Sequence, residues 1–139
     1  MISIVGLGNA ASQIAEKFKS IKNYKVYQLN DKVERSTKYK RKLKSFANPE
    51  DYEDNIPDLT KFFSQVNDRV QVFIVGSSMS SNYSLGVLEQ LKDKQIEVIY
   101  IKPDGDLLTG IPKLMDKVVF SILQQYARSG LLKSLTVLS

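Results

Sequence analysis

The sequence predicts an α/β fold: a Rossmann-like, doubly wound three-layer sandwich with a mostly parallel sheet. Three observations carry this. Apolar, β-branched runs alternate with segments of helical apolar spacing. The run Val70-Gln71-Val72-Phe73-Ile74-Val75 is nearly continuous in apolar residues, as in a central strand covered on both faces. And Ile2 to Phe18 reads as a short strand, a glycine-containing turn and a helix start.

In that opening stretch Ile2, Ile4 and Val5 are β-branched strand residues, and Gly6 and Gly8 permit a tight turn. Beyond them Ala11, Ile14, Ala15 and Phe18 fall at helical spacing, and the helix is expected to run to about Lys22. Its first N–H groups lack intrahelical partners and, with the helix dipole, form an anion site suited to a nucleotide phosphate. Tyr24 to Leu29 alternates as a second strand that Asn30-Asp31 ends.

Residues 32–48 are polar. Lys38, Lys40, Arg41, Lys42 and Lys44 place five cations in seven positions near Tyr39 and Phe46. A solvated loop or helix face is the expectation there, over a nucleic-acid patch. Asn48-Pro49-Glu50-Asp51 and Asn55-Ile56-Pro57-Asp58 are helix-start signals, and Leu59, Phe62, Phe63 and Val66 fit a short helix. After the Val70–Val75 strand comes Gly76-Ser77-Ser78-Met79-Ser80-Ser81-Asn82-Tyr83-Ser84, followed by helical positions Leu85, Val87, Leu88 and Leu91. Ile96 to Ile101 is a fourth strand, which Lys102-Pro103-Asp104-Gly105-Asp106 ends. Pro112 to Tyr126 is a helix with Leu114, Val118, Ile122 and Leu123 as its core face, and Ser134 to Leu138 is a fifth strand.

Composition narrows the chemistry. The chain of 139 residues holds no cysteine and no histidine, which removes disulfides, thiolate catalysis, histidine bases and most transition-metal sites. The net charge of +5 suits an anionic ligand. No apolar run reaches the roughly 20 residues of a membrane helix, no secretory leader is read, and a cytoplasmic setting is expected. A single domain over residues 1–139 is expected, trimmed from a longer protein before a second domain.

In open parallel sheets ligands bind beyond the carboxyl ends of the strands, at the switch point. Two loops belong there: the turn at Gly6–Ala11 and the serine-rich loop at Gly76. Gly6-Leu7-Gly8-Asn9-Ala10-Ala11 fits G-x-G-x-x-A, and Asp31 follows Gly6 by 25 residues, where a ribose-binding acid ends a second strand. Read alone, this is a dinucleotide (NAD) fingerprint using Gly6, Gly8, Ala11 and Asp31. The serine loop offers hydroxyls and N–H groups to phosphate oxygens, and the absence of G-x-x-x-x-G-K-[ST] excludes a P-loop. A third reading makes the glycines purely structural, in an α/β interaction domain.

The segment Gly8-Asn9-Ala10-Ala11-Ser12-Gln13-Ile14-Ala15-Glu16-Lys17-Phe18 resembles the G-Q-C-G-N-Q-I-G-A-K-F opening of tubulins, with Gln13-Ile14 and Lys17-Phe18 in register. Val5 to Ala10 is similar to a shortened first loop of FtsZ proteins, Gly76 to Asn82 stands where that family has G-G-G-T-G-[TS]-G, and Ile99 to Pro103 resembles its T-K-P strand end. The resemblance implies a GTP- or GDP-binding domain with Mg²⁺ carried by the nucleotide. It also implies a GTPase of a filament-forming cytoskeletal protein, whose hydrolysis needs a second domain and a neighbouring subunit.

Carried over by position, it implies that Gly6, Gly8, Asn9, Ala10 and Gln13 line the first loop. Gly76, Ser77, Ser78, Met79, Ser80, Ser81 and Asn82 hold phosphates, Asn30 and Asp31 lie near Mg²⁺ and phosphates, and Asp106 reaches the ribose. No residue is assigned as catalytic and no protein-only metal site is expected. The expected partners are the nucleotide and further copies of the chain; nucleic acid is not expected. Serine in place of the family's glycines resists positive φ, so the loop is expected to take a different path.

Overall fold

A computed structural model describes residues 1–103 and 108–139. Six strands form one sheet: β1 (Ile2–Leu7), β2 (Tyr24–Asn30), β3 (Lys40–Lys42), β4 (Arg69–Val75), β5 (Gln95–Ile101) and β6 (Ser134–Leu138). Their spatial order is β3-β2-β1-β4-β5-β6, and every neighbouring pair is parallel. This is the doubly wound order that reverses direction between β1 and β4. The expected α/β sandwich is thus found, with an entirely parallel sheet.

The helices are α1 (Asn9–Glu16), α2 (Pro49–Asp54), α3 (Thr60–Phe63), α4 (Ser84–Glu89) and α5 (Gly110–Ser129), and a 3₁₀ turn spans Met79–Tyr83. On one sheet face α1 buries Ala11 and Ala15, with Ile14 and Phe18, against Ile4, Val26 and Phe73. On the other, Tyr52, Phe63, Val87, Leu88, Val119 and Leu123 of α2 to α5 cover Val5, Leu7, Leu29, Val72, Ile74 and Val98. Both faces of β1 and β4 are covered, which is why those strands are mostly apolar, with Ser3 in β1 and Arg69 and Gln71 in β4 as the polar exceptions.

Four expectations need correction. The polar stretch 32–48 contains a strand, β3, so the sheet has six strands and not five. Lys40–Lys42 pairs with β2 because Leu43 behind it is 3% exposed and anchors the segment in the core. Helix α1 ends at Glu16, short of Lys22, and loose turns lead to β2. The serine loop enters a 3₁₀ turn before α4 begins.

In α5 the buried face is Met115, Asp116, Val119 and Leu123. Leu114 (61% exposed) and Val118 (47%), expected inside, point outward with Ile111. Both stripes are apolar at helical spacing, so periodicity could not choose between them. The buried carboxylate Asp116 does, because its partners lie on β5. Truncation should separate the two stripes. Leu123→Ala is expected to cost about 2–5 kcal/mol in denaturant unfolding, and Leu114→Ala within about 0.5 kcal/mol of zero.

Candidate functional site

The strand order reverses at β1 and β4, and because these two strands are parallel neighbours the loops that leave their carboxyl ends lie side by side. The first turn depends on glycine twice. Gly6 lies under α1: a β-carbon there would stand 2.7 Å from the Cα of Ser12, so its role is close packing of helix on strand. Gly8 has φ 91° and precedes the first turn of α1, where no side chain caps the free N–H groups. A β-carbon on Gly8 would come within 2.9 Å of the Ser80 Cβ. The two turns are therefore in van der Waals contact at the switch point.

The serine loop is held from behind. Gly76 donates its N–H to the Ile101 carbonyl at 2.9 Å. It presses so closely on β5 and α5 that a side chain there would overlap the Tyr100 hydroxyl and the Asp116 carboxylate. Asp116, 5% exposed, accepts a hydrogen bond from the Tyr100 hydroxyl and is paired with Lys102 Nζ at 2.9 Å. Lys102 also lies over the Phe120 ring, 4.6 Å from its centre. A buried carboxylate is tolerable only with such partners. Burial first, then the hydrogen bond and charge of Asp116, push the Tyr100 phenol well above its usual range. The sequence reading missed this trio. Its signal was an aspartate one position from the apolar stripe of a helix.

Ser77 has φ 69°, the left-handed region that the loop's serines were expected to avoid. The strain sits at the residue that turns the chain from β4 into the 3₁₀ turn, and such outliers cluster at ligand sites. Several loop side chains are spent on the loop itself. Ser78 donates to the Val75 carbonyl at 3.0 Å, Ser81 to Ser78 at 2.6 Å and Ser84 to Ser81 at 2.6 Å. Asn82 donates to the Met79 carbonyl at 2.9 Å and contacts the Met115 sulfur at 3.3 Å. Ser81 is fully buried. Among the described residues the hydroxyls of Ser77 and Ser80 are not drawn into this back-bonding.

The other sequence-derived candidates divide. Asn9 accepts from Asn30 Nδ2 at 3.3 Å, and Asn30 also reaches Gln28 Oε1 at 3.3 Å, so the first turn and the end of β2 are joined. Gln28 in turn donates to Glu16. Ala10 and Gln13 are exposed on α1, Gln13 on its outer side beyond the first turn. Asp31 is half-buried and accepts from Ser45. Met79 begins the 3₁₀ turn and packs against the main core. Asp106 lies outside the described residues. The structure thus gathers Gly8, Asn9, Asn30, Gly76, Ser77, Ser78 and Ser80 about the two turns; Asn9, Ser77 and Ser78 are part-exposed, while Gly8, Asn30, Gly76 and Ser80 are buried, as are Gly6 and Ser81.

Beside this rim a cleft of about 380 Å³ opens between α2 and α5. Asn82, Met115, Leu114, Ile111 and Glu53 line it. Among the described residues no group of three or more carboxylates is assembled for a metal ion. No protein-family model matches this sequence, and neither does any curated protein.

Two outcomes follow. Ser77→Val should destabilise the fold by about 1–2 kcal/mol, since a β-branched residue resists positive φ, whereas Ser77→Gly should cost nothing measurable in urea unfolding. The pH dependence has a definite sign. Burial, then the nearby Tyr52 and Asp31, raises the Tyr83 phenol from 10.0 to about 12, and Tyr27 and Tyr126 are raised as well. The folded state keeps protons that the unfolded chain has released. Stability is therefore full below pH 10 and falls as pH climbs towards 12, and in Tyr83→Phe that fall should be shallower.

Proposed function

We propose that the rim formed by Gly8, Asn9, Ser77 and Ser80 binds the phosphates of a nucleotide, and that the nucleotide is GTP or GDP. The observation that carries the phosphate site is the contact of Gly8 with Ser80 where the strand order reverses. An uncapped helix start and the Ser80 hydroxyl meet there, with the positive-φ turn at Ser77 close by in the chain, and each favours an anion. The guanine assignment rests on the resemblance of Gly8–Phe18 and Ile99–Pro103 to the tubulin and FtsZ family. The strand order is equally that of dinucleotide-binding folds, which keeps NAD as the second reading, with Asp31 at the ribose.

The oxygen donors at this rim are the Asn9 amide and the Ser77 and Ser80 hydroxyls. They are hard ligands, which suit a Mg²⁺ ion that arrives on phosphates and keeps part of its water shell. The bound ion would neutralise phosphate charge. The chain's own share is positioning: α1 and the serine loop fix the phosphates, and the Tyr100–Asp116–Lys102 trio keeps Gly76 in place. No side chain at the rim stands as a general base, so hydrolysis would draw its catalytic group from elsewhere in an assembly. Filament formation by further copies belongs to this same reading.

Calorimetric titration of the chain with GTP, ATP and NAD tests it. GTP-selective binding is expected, abolished by Ser80→Leu, which fills the space beside Gly8. Asp31→Ala should weaken binding less than Ser80→Leu does. NAD binding without GTP binding would overturn the guanine assignment, and binding of none of the three would overturn the phosphate site.

A further inference from the structure

The net charge of the chain is concentrated in one segment. Residues 31–46 hold seven Lys and Arg against Asp31 and Glu34, a surplus of five that equals the net charge of the whole chain. The β2–β3 register divides these cations between the two sheet faces. Lys40 opposes Gln28, whose amide donates to Glu16 of α1, so Lys40 stands on the α1 face. Arg41 opposes Leu29, a core residue of the face covered by α2 to α5, and stands on that face with Leu43.

There a cleft of about 400 Å³ lies between the end of β3 and the loop that joins α2 to α3, a volume in the range of small-molecule sites. Arg41, Lys44, Phe46, Ile56, Pro57 and Tyr83 line it. Its walls are pinned from behind. Gln90 donates to the Pro57 carbonyl at 3.0 Å and accepts the Leu59 N–H at 2.6 Å, which fixes the loop. The Tyr52 hydroxyl accepts the Phe46 N–H at 3.1 Å and donates to the Phe46 carbonyl at 3.3 Å. The Tyr52 ring meets Phe46 and Tyr83 edge-on, with centres 5.2 and 4.8 Å away. Tyr83 is buried and donates its hydroxyl to the Lys44 carbonyl at 2.8 Å. The cleft is therefore shaped before a ligand arrives, which lowers the ordering cost of binding.

Its chemistry is one-sided. No carboxylate is among the lining residues. Among the described residues Arg41 and Lys44 form no ion pair. Asp58, next to Pro57, is engaged by Thr60, through its N–H at 3.0 Å and its hydroxyl. Lys42 also borders the cleft, but its Nζ donates to the Val33 carbonyl at 2.6 Å. Two uncommitted cations thus border an apolar wall of Phe46, Ile56 and Pro57. The matching ligand carries a compact anion on an apolar body. Two cations balance a phosphate dianion, and a guanidinium fork fits two of its oxygens.

We propose that this cleft binds a small organic phosphomonoester, its phosphate on Arg41 and Lys44 and its apolar or aromatic body against Phe46, Ile56 and Pro57. The cleft shares no lining residue with the rim of Gly8, Asn9, Ser77 and Ser80, and the proposal stands apart from the nucleotide reading.

Titration with 1-naphthyl phosphate, followed by calorimetry and amide-resolved NMR, tests this. Saturable binding is expected, about tenfold or more tighter than that of inorganic phosphate, which leaves the apolar wall wet. 1-Naphthol, which keeps the body and lacks the anion, should bind no better than inorganic phosphate. The largest shifts should fall on the amides of Lys44, Phe46, Ile56 and Tyr83, a readout that needs no variant. R41Q and K44Q should each weaken binding roughly tenfold. K40Q removes the same charge one residue away but on the opposite face, and should bind like the parent to within about twofold. Circular dichroism should confirm the fold of each variant. Ser80→Leu should retain naphthyl phosphate binding, which keeps this cleft distinct from the nucleotide rim. Absence of saturable binding, equal losses in R41Q and K40Q, or largest shifts on Gly8, Asn9 and Ser77 would overturn the proposal.

Discussion

The closeness of two turns governs this molecule. Where β1 and β4 part company, Gly8 leaves only enough room for the β-carbon and hydroxyl of Ser80. That contact fixes where α1 begins, because Gly8 at φ 91° is the residue before its first turn. It also fixes the path of the serine loop, which must clear Gly8 on one side and Tyr100 and Asp116 on the other. A chain squeezed between two packed surfaces has few conformations left, and a serine in the left-handed region is the visible result.

From this contact the polar interior extends in two directions. Towards β5, the buried Asp116 ties α5 to the strand end through Tyr100 and Lys102. Towards β2, the amide of Asn30 joins Asn9 to Gln28, and its carbonyl accepts the Leu43 N–H at 3.1 Å. Asn30 Oδ1 accepts the Lys32 N–H at 3.0 Å as well. One side chain and its backbone thus couple the phosphate turn to both ends of the basic segment.

Much of the fold was legible in the sequence because burial on both faces leaves a strong signal. Val70 to Val75 and Ile2 to Val5 are apolar but for Gln71 and Ser3, since helices cover them on either side. Lys40-Arg41-Lys42 carries no such signal: an edge strand of three cations is a strand only because β2 offers it hydrogen bonds and Leu43 anchors it. The face of α5 was misread for a related reason. Two apolar stripes lie side by side on that helix, and a tertiary contact, Asp116 to Tyr100, decides which is buried. At the site, the glycines and the loop were legible because turn chemistry is local. The division of the serines into inward and rim positions was not. Which hydroxyl bonds back to a carbonyl depends on the 3₁₀ turn that follows, and nothing in a run of serines announces it.

The most direct test of the central claim is amide-resolved NMR of the isotopically labelled chain during titration with GTP and Mg²⁺. The account predicts that the largest shifts fall on the backbone amides of Asn9, Ala10, Ser77, Ser78 and Ser80, the two turns that meet at the switch point. Shifts confined to the α2–α5 cleft, with those five amides unmoved, would contradict it.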